Sequence, residues 1–421
     1  MNSRTIFKLT VGNGEWGIGN RQWAMGKSRD LTLDWQRARQ DTPGCETVLH
    51  FNNAGAALMP QSVLDAVVGH LQLEAQMGGY EAAAQQVEAV ERVYDAVATL
   101  LGCQRQEVAL IENATRAWDM GFYSIPLKKG DRILTGVSEY GSNFIAFLQV
   151  ARKTGATIEV IPNDEFGQIS IPKLRQAIDQ RVKLIAITHV ATNGGLVNPA
   201  VDVGNVAKDA GILYLLDACQ SVGQMPIDVN EIGCDMLSAT GRKYLRGPRG
   251  TGFLYVREEV IEQLEPPFLD MQAAEWLSRD TFKIRADARR FENWETNYAG
   301  KIGLGVAVDY ALNWGLAAIE HRIRHLANRL RDQLSDIDGV KVQDLGQKKC
   351  GIVSFTVAGK EPSEIKQLLS EKKINLSVSA AQGTRLDMDA RGLASVLRAS
   401  VHYYNTEAEV ERFSTTLASL V

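Results

Sequence analysis

A chain of 421 residues is longer than one small core needs, so two or three domains are expected, and a hydrophobic content of 45% is enough to bury them. The 46 basic and 50 acidic residues leave a formal charge of -4 with no basic block able to track a phosphate backbone, which excludes nucleic acid from the expected partners. No apolar run approaches the ~20 residues that a spanning helix requires, so a membrane is not an expected partner either.

Five cysteines, Cys45, Cys103, Cys219, Cys234 and Cys350, are scattered without CxxC spacing. That odd, unpatterned set fits reduced thiols in a cytoplasmic protein better than a disulfide framework or a metal site. Residues 1–30 lack the apolar core of a signal peptide and, rich in glycine and tryptophan, read as a loose arm. The expected division is an N-terminal arm over residues 1–50, a large domain over 51–300 and a smaller C-terminal α/β domain over 301–421.

Apolar spacing predicts helices over residues 62–76 and 83–101, then a short strand over 107–111 that ends in Glu112-Asn-Ala-Thr115 and leads into another helix. Strands over 132–135, 157–161, 183–188 and 213–217 alternate with helices over 143–154, 171–180 and 201–210. Such alternation implies βαβ units and a mostly parallel sheet, here of the seven-stranded type. A further apolar run, Cys234-Asp-Met-Leu-Ser-Ala239, precedes a glycine-rich turn. Beyond residue 300, two helices over 302–316 and 318–335 are followed by strand and helix segments around 351–357, 363–371 and 395–403.

In open α/β sheets ligands collect at the carboxyl ends of the strands, which directs attention to the polar residues closing these runs. Asp217 closes one; a poorly solvated carboxylate there needs a cationic partner, and a protonated pyridine nitrogen is one. Lys243 follows the next run, so both can face one crevice. A lysine that forms an imine and an aspartate that holds a pyridinium are the two parts pyridoxal phosphate needs. Asn113-Ala-Thr-Arg-Ala117 offers a hydroxyl and free main-chain N–H groups for the phosphate at a strand-to-helix turn, with Thr240 and Arg242 beside the lysine. Tyr140, in Ser138-Glu-Tyr-Gly-Ser-Asn143, can cover the ring, and Arg398 can clamp a substrate carboxylate.

These residues carry a resemblance. Asp217-Ala-Cys-Gln220, Gly241-Arg-Lys243 with Gly250-Thr-Gly252, and Arg398-Ala-Ser-Val-His-Tyr-Tyr-Asn-Thr406 resemble the class V aminotransferase family of fold-type I pyridoxal-phosphate enzymes. Within it the likeness is to cysteine desulfurases, selenocysteine lyases, isopenicillin epimerase-like proteins and the C–S lyases of ergothioneine synthesis. The resemblance runs from about Phe51 to the end of the chain. It implies that Lys243 bonds to the cofactor's aldehyde and later shuttles the proton, and that Asp217 keeps the pyridine nitrogen protonated. It further implies that Gln220 hydrogen-bonds the ring's phenolic oxygen, that Ala114, Thr115, Thr240 and Arg242 form the phosphate cup, and that Arg398 binds the substrate carboxylate. The segment 291–300 resembles the loop that family members lend to the neighbouring subunit's phosphate site, with Glu295 where they carry threonine and Thr296 beside it, so a homodimer is expected.

The chain departs from desulfurases at four places. Tyr140 replaces their stacking histidine, Arg242 replaces a histidine, and Thr192 stands where an asparagine is usual. The largest departure is that no cysteine lies between Ile374 and Arg398, where desulfurases carry the mobile cysteine that takes up sulfur. The expected reaction is therefore β-elimination from a cysteine-derived amino acid, with transamination or epimerisation of a small amino acid served by the same motifs. Arg246 and Arg249 read chiefly as exposed loop arginines solvated by water, the alternative being positive charge beside the site that holds a second acidic group of the substrate. His189 reads as either a contact to the ring or a satisfied residue at a strand end. A nucleotide-binding dehydrogenase is disfavoured, because no GxGxxG opens a helix after a strand. A retired scaffold is disfavoured by the joint presence of lysine, aspartate, glutamine and arginine.

Overall fold

Apolar runs of four to seven residues that are buried on both faces build the larger sheet, as parallel strands between helical layers require. The computed structural model describes residues 31–421, and the arm expected over residues 1–30 lies outside the described residues. The strands are β1 (Val108–Ile111), β2 (Arg132–Gly136), β3 (Thr157–Ile161), β4 (Val182–Thr188), β5 (Leu213–Asp217), β6 (Met236–Thr240) and β7 (Gly252–Val256). They lie in the order β1-β7-β6-β5-β4-β2-β3. Only β7 runs antiparallel to its neighbours, β1 and β6. The other pairs are parallel, so the expected α/β class with a mostly parallel seven-stranded sheet is what forms.

The helices Ala114–Tyr123, Gly141–Thr154 and Ala200–Ala210 occupy connections between these strands. The second starts two residues earlier than the spacing predicts. Gly141 can open it because the main chain of Gln382 passes so close that a Cβ at 141 would lie 2.2 Å from the Gln382 oxygen. The helix predicted over 83–101 is two, Gly79–Gln85 and Val87–Leu101. Val90, Val93, Tyr94, Val97 and Leu101 form one buried stripe in the longer piece, whereas the shorter one buries Ala82 and leaves Tyr80 in solvent, with Gln86 at the junction. The helix predicted over 171–180 stops at Ala177, because the Asp179 side chain accepts from the Arg181 N–H and closes a turn there.

A second sheet follows the helices Tyr298–Trp314 and Leu316–Ser335: β8 (Val340–Val342), β9 (Ile352–Val357), β10 (Ser377–Ala380) and β11 (Ser395–Ser400), ordered β8-β9-β11-β10 and antiparallel throughout. Residues early in the chain join it. Leu49–His50 pairs in parallel with Ile374–Asn375, and Asn52 bridges to Ser400.

Arg246 is not the loop charge its sequence context suggests. It is 1% exposed, and its guanidinium donates to the Leu58 carbonyl at 2.9 Å, the Tyr403 hydroxyl at 2.8 Å and the Thr42 hydroxyl. The same group lies over the rings of Tyr310, Tyr403 and Tyr404, the nearest centroid 4.6 Å away. Arg249, by contrast, is exposed. Among the described residues no single helix is long and apolar enough to cross a membrane.

Candidate active site

Because β7 is the sole reversed strand, β1, β2, β4, β5 and β6 all release their carboxyl ends on one side of the sheet, and the predicted residues meet there. A cavity with about 560 Å³ of open space is lined by Ala114 and Thr115 after β1, Tyr140 after β2, Thr192 after β4, Asp217 and Gln220 from the end of β5, and Thr240, Arg242 and Lys243 from the end of β6. Nine of the predicted residues thus share one cavity wall. Thr296 does not: with Glu295, Asn297, Lys301 and Arg116 it lines a neighbouring depression that touches the first at Gly250.

Lys243 sits in the turn between β6 and β7, where the Arg246 N–H donates to its carbonyl at 2.9 Å and the Gly247 N–H to that of Gly241 at 2.8 Å. Burial pushes its ammonium below the usual lysine range; Cys219 and Asp217 oppose that shift, and Arg242 and Arg398 add to it. The shift favours the neutral amine, the form able to bond to an aldehyde or accept a proton.

Asp217 is 5% exposed, and both of its oxygens are held: Oδ1 accepts from the Cys219 N–H and Oδ2 from the Asn143 amide, each at 2.9 Å. No Lys, Arg or His among the described residues pairs with it. Gln220 donates from Nε2 to the Ala54 carbonyl at 3.1 Å and to the Thr192 hydroxyl at 3.3 Å, which leaves its buried Oε1 without a donor. Asn113 caps the helix Ala114–Tyr123 by accepting from the Arg116 N–H, so the N–H groups of Ala114 and Thr115 face out of the helix start. Gly252 is required opposite them: a Cβ there would lie 2.9 Å from the Asn113 carbonyl carbon. Arg242 donates to the Gly55 carbonyl and brings a fixed positive charge to the same end.

Arg398 comes from β11 on the second sheet. Its guanidinium donates to the Thr192 carbonyl at 2.9 Å and hydroxyl at 3.0 Å and to the Ser377 hydroxyl at 3.1 Å, which holds it buried behind Thr192; Arg398 itself is outside the cavity lining. His189 stays outside the lining; burial pushes it down to about 4, so it is neutral.

Sequence reasoning gave no role to Glu139, Asn143, Thr188 or Cys219. Glu139 is 4% exposed, and burial raises its carboxyl to about 7, against hydrogen bonds from Thr188 and Asn143 and with the neighbouring charge of Asp217 adding to the rise. The signal was present as a Glu–Asn pair four apart at a helix start, which puts both side chains on one face. Thr188, Cys219 and Asn113 complete the lining.

A buried carboxylate without a cation, a buried carbonyl oxygen without a donor, and a helix start beside an arginine complement a flat group that carries a ring N–H⁺, a hydroxyl and a phosphate. The residues present fit pyridoxal phosphate.

Comparison with known proteins agrees. Residues 49–413 match the family model for aminotransferase class V. A probable cysteine desulfurase of Xylella fastidiosa is 33% identical over 400 residues, which spans 91% of this chain and 95% of the relative. The apo cysteine desulfurase from Thermococcus onnurineus superposes with a TM-score of 0.85 at 28% identity, over 93% of this chain and 98% of that one. At 22% identity and a TM-score of 0.81, the cystine C–S lyase C-DES shares the fold, over 90% of this chain and 99% of its own. The chain belongs to the aminotransferase class V family, and it is a pyridoxal-phosphate-dependent enzyme.

Proposed function

We propose that this enzyme is a C–S lyase: it releases the sulfur substituent of a cysteine-derived amino acid by β-elimination, with no persulfide on the protein. The observation that carries this reading is the state of the cysteines. None lies in residues 374–398, and burial pushes all five thiols up, Cys45 and Cys350 to about 11, Cys103 to about 12, and Cys219 and Cys234 further. Cys219 alone lines the cavity, and the Asp217 charge adds to its rise. A protonated thiol is a poor sulfur acceptor. The likeness to proteins named cysteine desulfurases supports a cysteine-derived substrate.

When bound, pyridoxal phosphate supplies an electron sink for the pair left on the substrate's α-carbon. Asp217 would hold the positive charge on the ring nitrogen, and Ala114, Thr115, Thr240 and Arg242 would hold the phosphate. Arg398 exchanges its hydrogen bonds to Thr192 for the substrate carboxylate, which fixes the α-carbon against Lys243. The neutral amine of Lys243 takes the α-proton, and the thiolate leaves the β-carbon into the cavity. Water completes the balance: S-substituted cysteine and water become pyruvate, ammonia and a thiol.

The test supplies an S-substituted cysteine without a keto-acid acceptor. Pyruvate and free thiol in equal amounts, with the intact mass of the protein unchanged after turnover, are expected. A mass increment of one sulfur atom overturns the persulfide-free reading, and keto acid formed only with an amino-group acceptor present replaces it with transamination.

The active form is a homodimer. The depression around Thr296 touches the cavity at Gly250; exposed Trp294 stands between its lining residues Asn293 and Glu295, and exposed Phe268 lies against its Arg116, apolar surface that a lone chain leaves in water. Sedimentation is expected to give twice the mass of one chain, and a fully active monomer rejects the dimer.

A further inference from the structure

Behind the wall that faces the cofactor lies a second buried carboxylate. Glu139 receives five hydrogen bonds: at Oε1 from the Tyr140 N–H at 2.9 Å, the Asn143 amide at 2.8 Å and the Thr188 hydroxyl at 2.5 Å, and at Oε2 from the Thr135 hydroxyl at 3.0 Å and the Thr188 N–H at 3.1 Å. Three of these donors are N–H groups, which can accept nothing in return, so both oxygens of Glu139 are held in place as acceptors. No Lys, Arg or His among the described residues pairs with it.

The connection to the site is a single nitrogen. Asn143 Nδ2 has two hydrogens, and both are spent on carboxylates, one on Glu139 Oε1 at 2.8 Å and one on Asp217 Oδ2 at 2.9 Å. Asn143 therefore cannot turn away from Asp217 without abandoning Glu139. Asp217 in turn has its other oxygen held by the Cys219 N–H, so its remaining lone pairs are directed at the cavity. Two buried carboxyl groups, linked through one amide, stand in line behind the part of the cavity wall that Asp217 forms.

We infer that Glu139 is a positioning residue for the ring nitrogen: through Asn143 it fixes the Asp217 carboxylate that keeps that nitrogen protonated. The inference rests on the pyridoxal-phosphate reading of the cavity. It assigns Asn143 as the coupling element and gives Glu139 no contact with substrate.

A merely structural role is the rival explanation, since Glu139 also ties the ends of β2 and β4 together through Thr135 and Thr188. The two separate by ligand. Apo-enzyme is titrated with pyridoxal phosphate and with its deaza analogue, in which CH replaces the ring nitrogen, for the wild type, Glu139→Gln, Asn143→Ala and the double variant. Loss of a charge-assisted hydrogen bond is expected to raise the dissociation constant for pyridoxal phosphate about 10- to 100-fold in each single variant. The analogue is expected to bind the variants and the wild type alike, and the double variant to be no weaker than Asn143→Ala alone. Asn143→Ala keeps the other four donors to Glu139, so it remains informative if Glu139→Gln does not fold. Equal loss for both ligands, or additive losses in the double variant, overturns the inference; failure of the wild type to bind pyridoxal phosphate would instead remove the reading of the cavity itself.

Discussion

Lys243→Ala eliminates turnover and the visible absorption of bound pyridoxal phosphate, while the thermal unfolding of the protein stays close to that of the wild type. Two tasks are lost at once, the bond to the cofactor and removal of the α-proton, and the general-base task alone is worth about 10²- to 10⁴-fold. A fall in kcat of at least 10⁴-fold is therefore expected, about 5.5 kcal/mol of barrier. Stability is spared because the polar end of Lys243 lies at the cavity wall and its amine makes no ion pair; the turn that carries it is closed by main-chain hydrogen bonds that alanine keeps. Pyruvate formation and a melting curve measured on the same sample decide the matter. A kcat within tenfold of the wild type would sink the proposed chemistry.

Arg246→Ala has the opposite signature and costs stability. It removes a buried cation that satisfies the Leu58 carbonyl and the Tyr403 and Thr42 hydroxyls and rests on three aromatic rings. A loss of ~3–5 kcal/mol is expected, at the upper end for single substitutions, because buried acceptors are left unpaired and a cavity opens. Arg246→Lys does not restore it, since one ammonium cannot reproduce a planar fork that serves three acceptors at once. Differential scanning fluorimetry reads the effect as a drop in melting temperature, and a drop of less than a degree would mean that the tyrosine cluster closes without the guanidinium.

What the sequence disclosed and what it hid follow from the range of the interactions involved. The strands were readable because parallel strands buried on both faces are continuous apolar runs, and the ends of those runs placed Asp217, Lys243 and Thr240 within a residue or two. Arg246 was misjudged because its partners, Thr42, Leu58 and Tyr403, are far from it in the chain, and glycine and proline neighbours suggest solvent where the fold supplies aromatic rings. Glu139 and Asn143 were passed over for a different reason: their spacing was visible, but Asp217 as the shared target was not. Gln220 lines the cavity, yet its partners Ala54 and Thr192 come from segments that only tertiary packing brings together.

The two groups that grip an amino acid in the proposed function are mounted on different sheets. Lys243 rides on a short return between β6 and β7, which needs no crossover because β7 is reversed, and that turn is stapled to the base of the larger sheet. Arg398 stands on β11 of the smaller one and reaches the cavity only across Thr192. The site is in effect a caliper: its two jaws stand on different sheets, and the gap between them gauges the span from α-amino group to α-carboxylate before any side chain is inspected.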